Sequence, residues 1–445
     1  MSLLIPGRLP SGWEWRRDSR FFGAAGASSN GGSWILTTLR AVNGTISRSP
    51  SGRSAPRAPQ PRLGYDDPMS AAPKLTALSG NEIYCMRLKG LSPCGVVIGN
   101  SIQSMGFLGG VRSAFRGIVG GEIADVTQMI HAGRAAAFKR MREEADREQV
   151  HGVVGVSAEL RSLGGYSEFL FVGSGVSGGA QTPRFTSAGD AQELYCHMDC
   201  GYEPREFVFG NIAYSVGAVG GIAGTLKTLV RGEIREFSDV FNQTRHHALE
   251  RLVSHAREAR ANAVVGVRTN VLHFAGFHEM FMTGTAAFHG SLPQQSGAAP
   301  VTSDLTGEEL WSMTQLGYMP IKLLISTSVY SLGAIGGIKA AFKGLVRGEI
   351  SDLTTLIYDA REQVFDRINS EAQALGAAEV IGIKTYIVEL GPSLVEIFAV
   401  GTAVRKQDGL KVATAALPAQ AIIRDKDTWV SGVGGFEIQT LRAGN

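Results

Sequence analysis

The stretch NSIQSMGFLGGV (100–111) returns as NIAYSVGAVGGI (211–222) and again as TSVYSLGAIGGI (327–338). The copies stand 111 and then 116 residues apart, and the spacing holds well beyond the glycines. Glu122 maps onto Glu233 and Glu349, and VVGV (153–156) maps onto VVGV (264–267) and VIGI (380–383). Gly173-Ser174 maps onto Gly284-Thr285 and, after one inserted residue, onto Gly401-Thr402. Solenoid repeats run about 20–50 residues, whereas a period this long is the length of a small domain. The 445 residues therefore hold three tandem domains, and whatever the chain does should be written in the features the copies share.

Composition narrows the function classes. An apolar content of 44% and a charged content of 19% are those of ordinary globular protein, enough for each copy to build a core. The net charge of +3 is unevenly placed: residues 1–68 hold nine Arg, no Lys and four acids, a balance of +5, which leaves −2 for the remainder. A near-neutral body offers no electrostatic footprint for nucleic acid. Four cysteines, Cys85, Cys94, Cys196 and Cys200, do not make a disulfide framework in so long a chain, and the expected compartment is the reducing cytoplasm. The amino end MSLLIPGRLP has neither the apolar run nor the cleavage site of a signal peptide. Residues 207–226 are uncharged and long enough to test as a membrane span. They and their counterparts, 94–111 and 323–338, end in a GxxGG pattern that suits a buried strand and tight turn better than a lipid-facing helix.

Residues 1–70 combine Arg, Ser, Pro and Gly without apolar periodicity and are expected to be a disordered leader, with Met69 a plausible alternative start. Three units follow, at 78–176, 190–289 and 305–405, joined by Gly/Ser/Pro linkers, and 406–445 forms a C-terminal extension. Each unit reads as strand, strand, glycine turn, long helix, strand, hairpin, strand. In the third, Leu353, Leu356, Ile357, Ala360, Val364, Ile368, Ala372 and Leu375 form an apolar stripe with helical spacing. In the second, Phe237, Val240, Phe241, Ala248, Leu252, Ala256 and Ala259 keep the same register, and Gly376 or its equivalents should stop the helix. One long helix on a small, mainly antiparallel sheet is a two-layer α+β unit. Its open sheet edges invite pairing with a neighbour, and closing like subunits into a ring removes such edges.

The order of a glycine-containing strand and turn, the long segment KGLVRGEISDLTTLIYDAREQVFDRINSEAQALGAAEVIGI (343–383) and a terminal VGTAV (400–404) resembles the YbjQ family, sometimes called a heavy-metal-binding domain. ALERLVSHAREARANAVVGV (248–267) with GTA (284–286) carries the likeness in the second copy, and GVVGV (152–156) with GSG carries a more diverged form in the first. The likeness covers roughly residues 78–405. It implies a β/α unit related to dodecin-like subunits, assembly into a pentameric ring, and no established catalytic activity. Three copies in one chain depart from the single-copy form. A pseudo-ring could close alone, several chains could share a ring, or each chain could lend its copies to three stacked pentamers.

Charged positions kept in all three copies are the candidates for chemistry. Glu122/Glu233/Glu349 and Asp125/Glu236/Asp352 stand where the helix begins, where carboxylates complement the helix dipole; a carboxylate ring around an axial channel is the functional alternative. Arg116/Lys227/Lys343 and Arg140/Arg251/Arg367 also recur. Glu168/Glu279/Glu396 lie in the last strand among apolar residues, and Arg134/Arg245/Arg361 on the helix are their expected partners. The pairs read either as structural ion pairs, within or between subunits, or as an anion- or ligand-binding set, since arginine forks to carboxylate or phosphate. The glycine cluster lacks the endings of phosphate-binding loops. Ser104/Ser215/Ser331 recur without a recurring His to activate them. For a metal such as zinc or copper, the local set is Cys196-His197-x-x-Cys200, in a copy that also holds His246, His247, His255, His273, His278 and His289. Cys85 and Ser312 replace Cys196 in the other copies and a fourth ligand is not evident, so no resident cofactor is expected. The sequence thus points to a cytoplasmic, non-enzymatic, self-associating ring or scaffold that could bind a metal or small ligand. A membrane-associated assembly using the Gly-rich segments is the alternative.

Overall fold

A computed structural model describes residues 75–104, 121–163, 165–178, 184–215, 232–274, 277–293, 298–331, 351–391, 394–418, 421–424 and 429–432, all within the unit Ala72–Asn445. The GxxGG segments, the leader and most of the last residues lie outside this set.

Each copy opens on a short helix: α1 (Gly80–Leu88), α3 (Ala191–Asp199) and α5 (Gly307–Gln315). This corrects the expected first strand. All three begin with a capping box, Ser79/Glu82, Asp190/Glu193 and Thr306/Glu309, whose side chains satisfy each other's backbone N–H groups. A long strand follows, β1 (Leu91–Ser104), β6 (Glu203–Ser215) or β11 (Tyr318–Ser331). Two-residue strands β2 (Gly121–Glu122) and β7 (Gly232–Glu233) precede the first two long helices. The long helices are α2 (Ala124–Arg147), α4 (Arg235–Glu258) and α6 (Ser351–Ala374). Hairpins complete the copies: β3 (Gly152–Leu163) with β4 (Tyr166–Gly178), β8 (Ala263–Phe274) with β9 (Phe277–Phe288), and β12 (Glu379–Gly391) with β13 (Leu394–Lys406). Strands β5 (Phe185–Thr186) and β10 (Val301–Thr302) lie in the linkers, and β14 (Ala421–Arg424) pairs β15 (Trp429–Gly432).

The expected stripes face inward at Phe237, Phe241, Ala248, Leu252 and Ala256 on α4 and at Leu356, Ala360, Val364, Ile368 and Ala372 on α6. Val240 and Leu375 are exposed. Helix α6 ends at Gly376 in the left-handed region, but its equivalents are Gln149 and Arg260, each with φ of 54°. The helices therefore stop at one conformation, with glycine to ease it in the third copy alone. Gly210 lets β6 touch α4: an added Cβ would lie 2.2 Å from the carbonyl oxygen of Ala248.

The sheets are ordered β1-β4-β3-β5, β10-β8-β9-β6-β2 and β12-β13-β11-β7. The orders show that the copies interlock. Unit 1 gives β2 to the edge of β6 in unit 2, and unit 2 gives β7 to β11 in unit 3. In return, the lead-in strands of units 2 and 3, β5 and β10, pair in parallel with β3 and β8 of the preceding unit. The VVGV motif makes this possible. Gly155, Gly266 and Gly382 adopt φ of 61–68°, the hairpin register shifts at each, and these are glycine bulges. At the first bulge Val156 N–H donates to Ser187 O at 2.8 Å, and at the second Val267 N–H donates to Ser303 O at 2.8 Å.

The cores follow the same logic. Ala137, Phe138 and Met141 of α2 are buried with Val97 and Phe171 of sheet 1 and with Phe207, Phe209 and Phe281 of sheet 2. Phe241 and Leu252 of α4 are buried with Val208 and Met282 of sheet 2 and with Ile325, Val329 and Phe398 of sheet 3. Helix α6 has a core with sheet 3 alone. The first two units thus use their helix twice, on their own sheet and on the next.

Candidate functional site

The recurring charges meet at the two junctions between units. Arg134 of α2 reaches Glu279 of unit 2: its Nη2 donates to Oε2 at 2.9 Å and its Nη1 to Oε1. Arg245 of α4 reaches Glu396 of unit 3, with Nε donating to Oε1 at 2.9 Å and Nη2 to Oε2. Each helix arginine therefore pairs with the strand glutamate of the next copy. All four side chains are essentially buried.

Local chemistry explains how such charges tolerate burial. The Arg134 guanidinium lies 3.7 Å from the centroid of Phe281, and that of Arg245 lies 4.4 Å from Tyr214 and 5.1 Å from Phe398, where the negative ring faces attract cations. Arg245 Nη2 also donates to Tyr214 Oη at 2.6 Å, and Thr327 Oγ1 donates to Glu396 Oε1 at 2.8 Å. Burial opposes the Arg245 charge, but Glu396 and Tyr214 outweigh it and hold the guanidinium pKa above its ordinary value. Burial lifts the Tyr214 hydroxyl to about 12. The pairs are bidentate and desolvated, which fixes the register of one unit on the next.

A second set of pairs runs across the same junctions. Arg251 Nη2 donates to Glu122 Oε1 at 2.6 Å, and Arg367 donates to Glu233, so each of these helix arginines holds the glutamate of the preceding unit. Arg251 and Arg367 also donate to their own first strands, at Asn211 O and Thr327 O. Glu122 and Glu233 lie on β2 and β7, before the helix, so the dipole reading does not describe them. Asp125 and Glu236 do occupy the first helical turns. Glu349 lies outside the described residues.

Arg361 and Glu168 are the exceptions. Arg361 is half-buried on α6 and makes no ion pair among the described residues. Among the described residues, Glu168 accepts only from Asn100 Nδ2, at 3.4 Å.

The first junction also opens a cavity of about 920 Å³ beside α2 and α4, lined by Glu122, His131, Arg142, Phe209, Arg251 and His255. His131 Nδ1 lies 3.1 Å from Asn211 Oδ1, and burial lowers its pKa. Phe209 N–H donates to His255 Nδ1 at 3.3 Å. Asp199 is a residue the internal comparison could not find, because Leu88 and Gln315 take its place in the other copies. Lys89 Nζ, Trp311 Nε1 and Thr414 Oγ1 donate to it at 2.9, 2.8 and 2.7 Å. It ties the three short helices and residue 414 of the extension together.

The chain matches the family described as "Putative heavy-metal-binding" three times, at residues 87–178, 202–289 and 319–407. The chain belongs to the YbjQ family. Among curated relatives, it is 29% identical over 231 residues to the encapsulin nanocompartment protein Rv1762c of Mycobacterium tuberculosis, spanning 50% of this chain and 86% of that protein. It is 32% identical over 103 residues to the UPF0145 protein Ta0182 of Thermoplasma acidophilum, spanning 22% and 87%. A UPF0145 protein of Methanocella arvoryzae is 48% identical over 61 residues, 14% of this chain and 51% of that one. No solved structure matches the chain.

The family description names a metal, and the candidate ligands Cys196, His197 and Cys200 stand just before the matched residues 202–289 of the second copy. All three are buried. Cys196 packs against Gly307 of α5, whereas His197 faces Gly266 of β8. Burial pushes both thiols up, Cys200 to about 12, so the thiolate needed for ligation is disfavoured. Burial also lowers His197 to about 3, and neither ring nitrogen has a hydrogen-bond partner. Among the described residues no group of three or more His, Cys, Asp and Glu could hold a metal ion. These side chains do not fit a bound heavy metal. Among the described residues, no helix is long and apolar enough to cross a membrane.

Proposed function

We propose that the chain is a non-enzymatic scaffold whose YbjQ units are built to associate in series, and that it works in the cytoplasm by self-assembly. The observation that carries this reading is the use made of the repeated charges. Arg134, Arg245, Glu279 and Glu396 are buried in ion pairs between successive units, where they join β/α units and are closed to substrate. The likeness to a nanocompartment protein supports an assembling role. Three buried cysteines outside any disulfide, Cys85, Cys196 and Cys200, support a reducing compartment. The membrane alternative rests on the Gly-rich segments, whose described parts belong to strands β1, β6 and β11 and whose GxxGG ends lie outside the described residues. Light scattering on the size-fractionated protein tests the proposal. A mass that is a multiple of the chain mass is expected, and a monomer persisting at high micromolar concentration would overturn it.

A further inference from the structure

The same residue positions that are covered at the two internal junctions are open at the two ends of the series. On β1, Ile98 is 37% and Ile102 is 52% exposed, whereas their counterparts Phe209 and Ala213 are 2% and 0% exposed, and Ile325 and Val329 are 1% and 0%. Asn100 is exposed, while Asn211 and Thr327 are fully buried. In the lead-in to the first unit Leu75 is 73% exposed, against 8% for Thr186 and 2% for Thr302. At the far end, Ile383 beside the third bulge is 45% exposed, and its counterparts Val156 and Val267 are each 3% exposed. Among the described residues, helix α6 has a sheet on one side only. The third unit therefore does not cover the first within one chain.

The open faces are the two halves of one junction. The first unit presents an uncovered sheet face, an exposed lead-in residue and a glutamate, Glu168, held among the described residues only by an amide. The third presents an uncovered helix, a free bulge edge and Arg361. The hydroxyl of Tyr330, counterpart of the Tyr214 group that accepts from Arg245, is buried away from any well-formed hydrogen bond among the described residues. We infer that a second copy of this chain docks head-to-tail, its first-unit sheet on the α6 face, with Arg361 of one copy paired to Glu168 of the next and Tyr330 accepting from that arginine. A heterologous contact of this kind propagates, and it closes into a ring where the rotation allows. Leu170 stands where Phe281 and Phe398 flank the internal pairs, so the junction between chains lacks the phenylalanine ring that both internal junctions place beside the guanidinium. It should be the weakest of the three and the one that opens on dilution.

This inference rests on the self-assembly reading and is tested separately from it by charge exchange in the full chain. Glu168→Arg and Arg361→Glu should each weaken self-association by about tenfold or more in analytical ultracentrifugation, because each leaves like charges facing across the junction. The double variant Glu168→Arg/Arg361→Glu should restore association, as should an equimolar mixture of the two single variants. Circular dichroism melting of each single variant is expected to match the wild-type monomer, since both residues lie outside the internal junctions. Assembly that persists unchanged in both single variants, or that neither combination restores, would overturn the Arg361–Glu168 docking while leaving self-assembly intact. A wild-type chain that stays monomeric would overturn both.

Discussion

The two internal junctions and the two ends of the series carry the same residue types at the same repeat positions, yet only the junctions bury them. Arg245 is fully buried against Glu396, and Arg361, one copy later, is half-buried without an ion pair among the described residues. The difference lies in what stands opposite. In an interlocked repeat a residue's environment is set by the neighbouring unit, so a fixed sequence position can be core in one copy and surface in another, as in other arrays whose units contact mainly their neighbours.

Substitution should expose that contrast most strongly at the arginines. Arg245→Ala strands a buried carboxylate and should destabilise the folded chain by about 3–5 kcal/mol in urea denaturation. Arg361→Ala, measured under conditions where the chain is monomeric, should change stability by no more than about 0.5 kcal/mol. Comparable losses from the two would erase the distinction between junction and end.

Acid should attack the second junction before the ends. Burial, with His273 and Arg245 nearby, lowers His278 to about 4 from an ordinary 6.5, and its ring stacks on Tyr214. The unfolded chain therefore binds the proton more readily than the folded one. This histidine costs nothing above about pH 6.5, and stability falls as the pH drops from there towards about 4. His278→Phe keeps an aromatic ring against Tyr214 and should flatten the melting temperature across that window. An unchanged slope would show that acid acts elsewhere.

The three helix stops allow a finer comparison. Arg260 holds φ of 54° where Gly376 holds 65°, and a residue with a Cβ pays about 1 kcal/mol for that conformation. Arg260→Gly should raise stability by up to about 1 kcal/mol in the same denaturation assay, whereas Gly376→Arg should lower it. A loss from Arg260→Gly would mean that the Arg260 side chain contributes more than its backbone costs.

Much of the architecture was legible. The triplicated glycine motif set the number of units, and the helical stripes through Phe241 and Val364 located the long helices. The final strands were marked by Gly-Thr-Ala in the second and third copies and by Gly-Ser-Gly in the first. The short helices were missed although their capping boxes, Ser79-x-x-Glu82, Asp190-x-x-Glu193 and Thr306-x-x-Glu309, were readable, because nine residues give too few turns for an apolar period to stand out. The VVGV motif looked like plain buried strand, since periodicity does not reveal that its glycine is left-handed. The arginines and glutamates at the junctions were identified as a recurring set, with Arg134/Arg245/Arg361 as the expected partners of Glu168/Glu279/Glu396, but the copy that supplies each partner was not. A repeat aligns Arg361 with Arg245 and Glu396 with Glu279; it does not say whether an arginine bonds within its own unit or reaches the next. Only the interlocked sheets decide that, and they place Arg245 on Glu396.

A double-mutant cycle is the most direct test of this offset. In equilibrium unfolding of the monomeric chain, Arg245→Ala and Glu396→Ala should couple by several kcal/mol, about 3 on the scale of close charged pairs. Arg245→Ala and Glu279→Ala, which belong to the same unit, should add within about 0.5 kcal/mol. Strong coupling within the unit and additivity across the junction would contradict the interlocked arrangement.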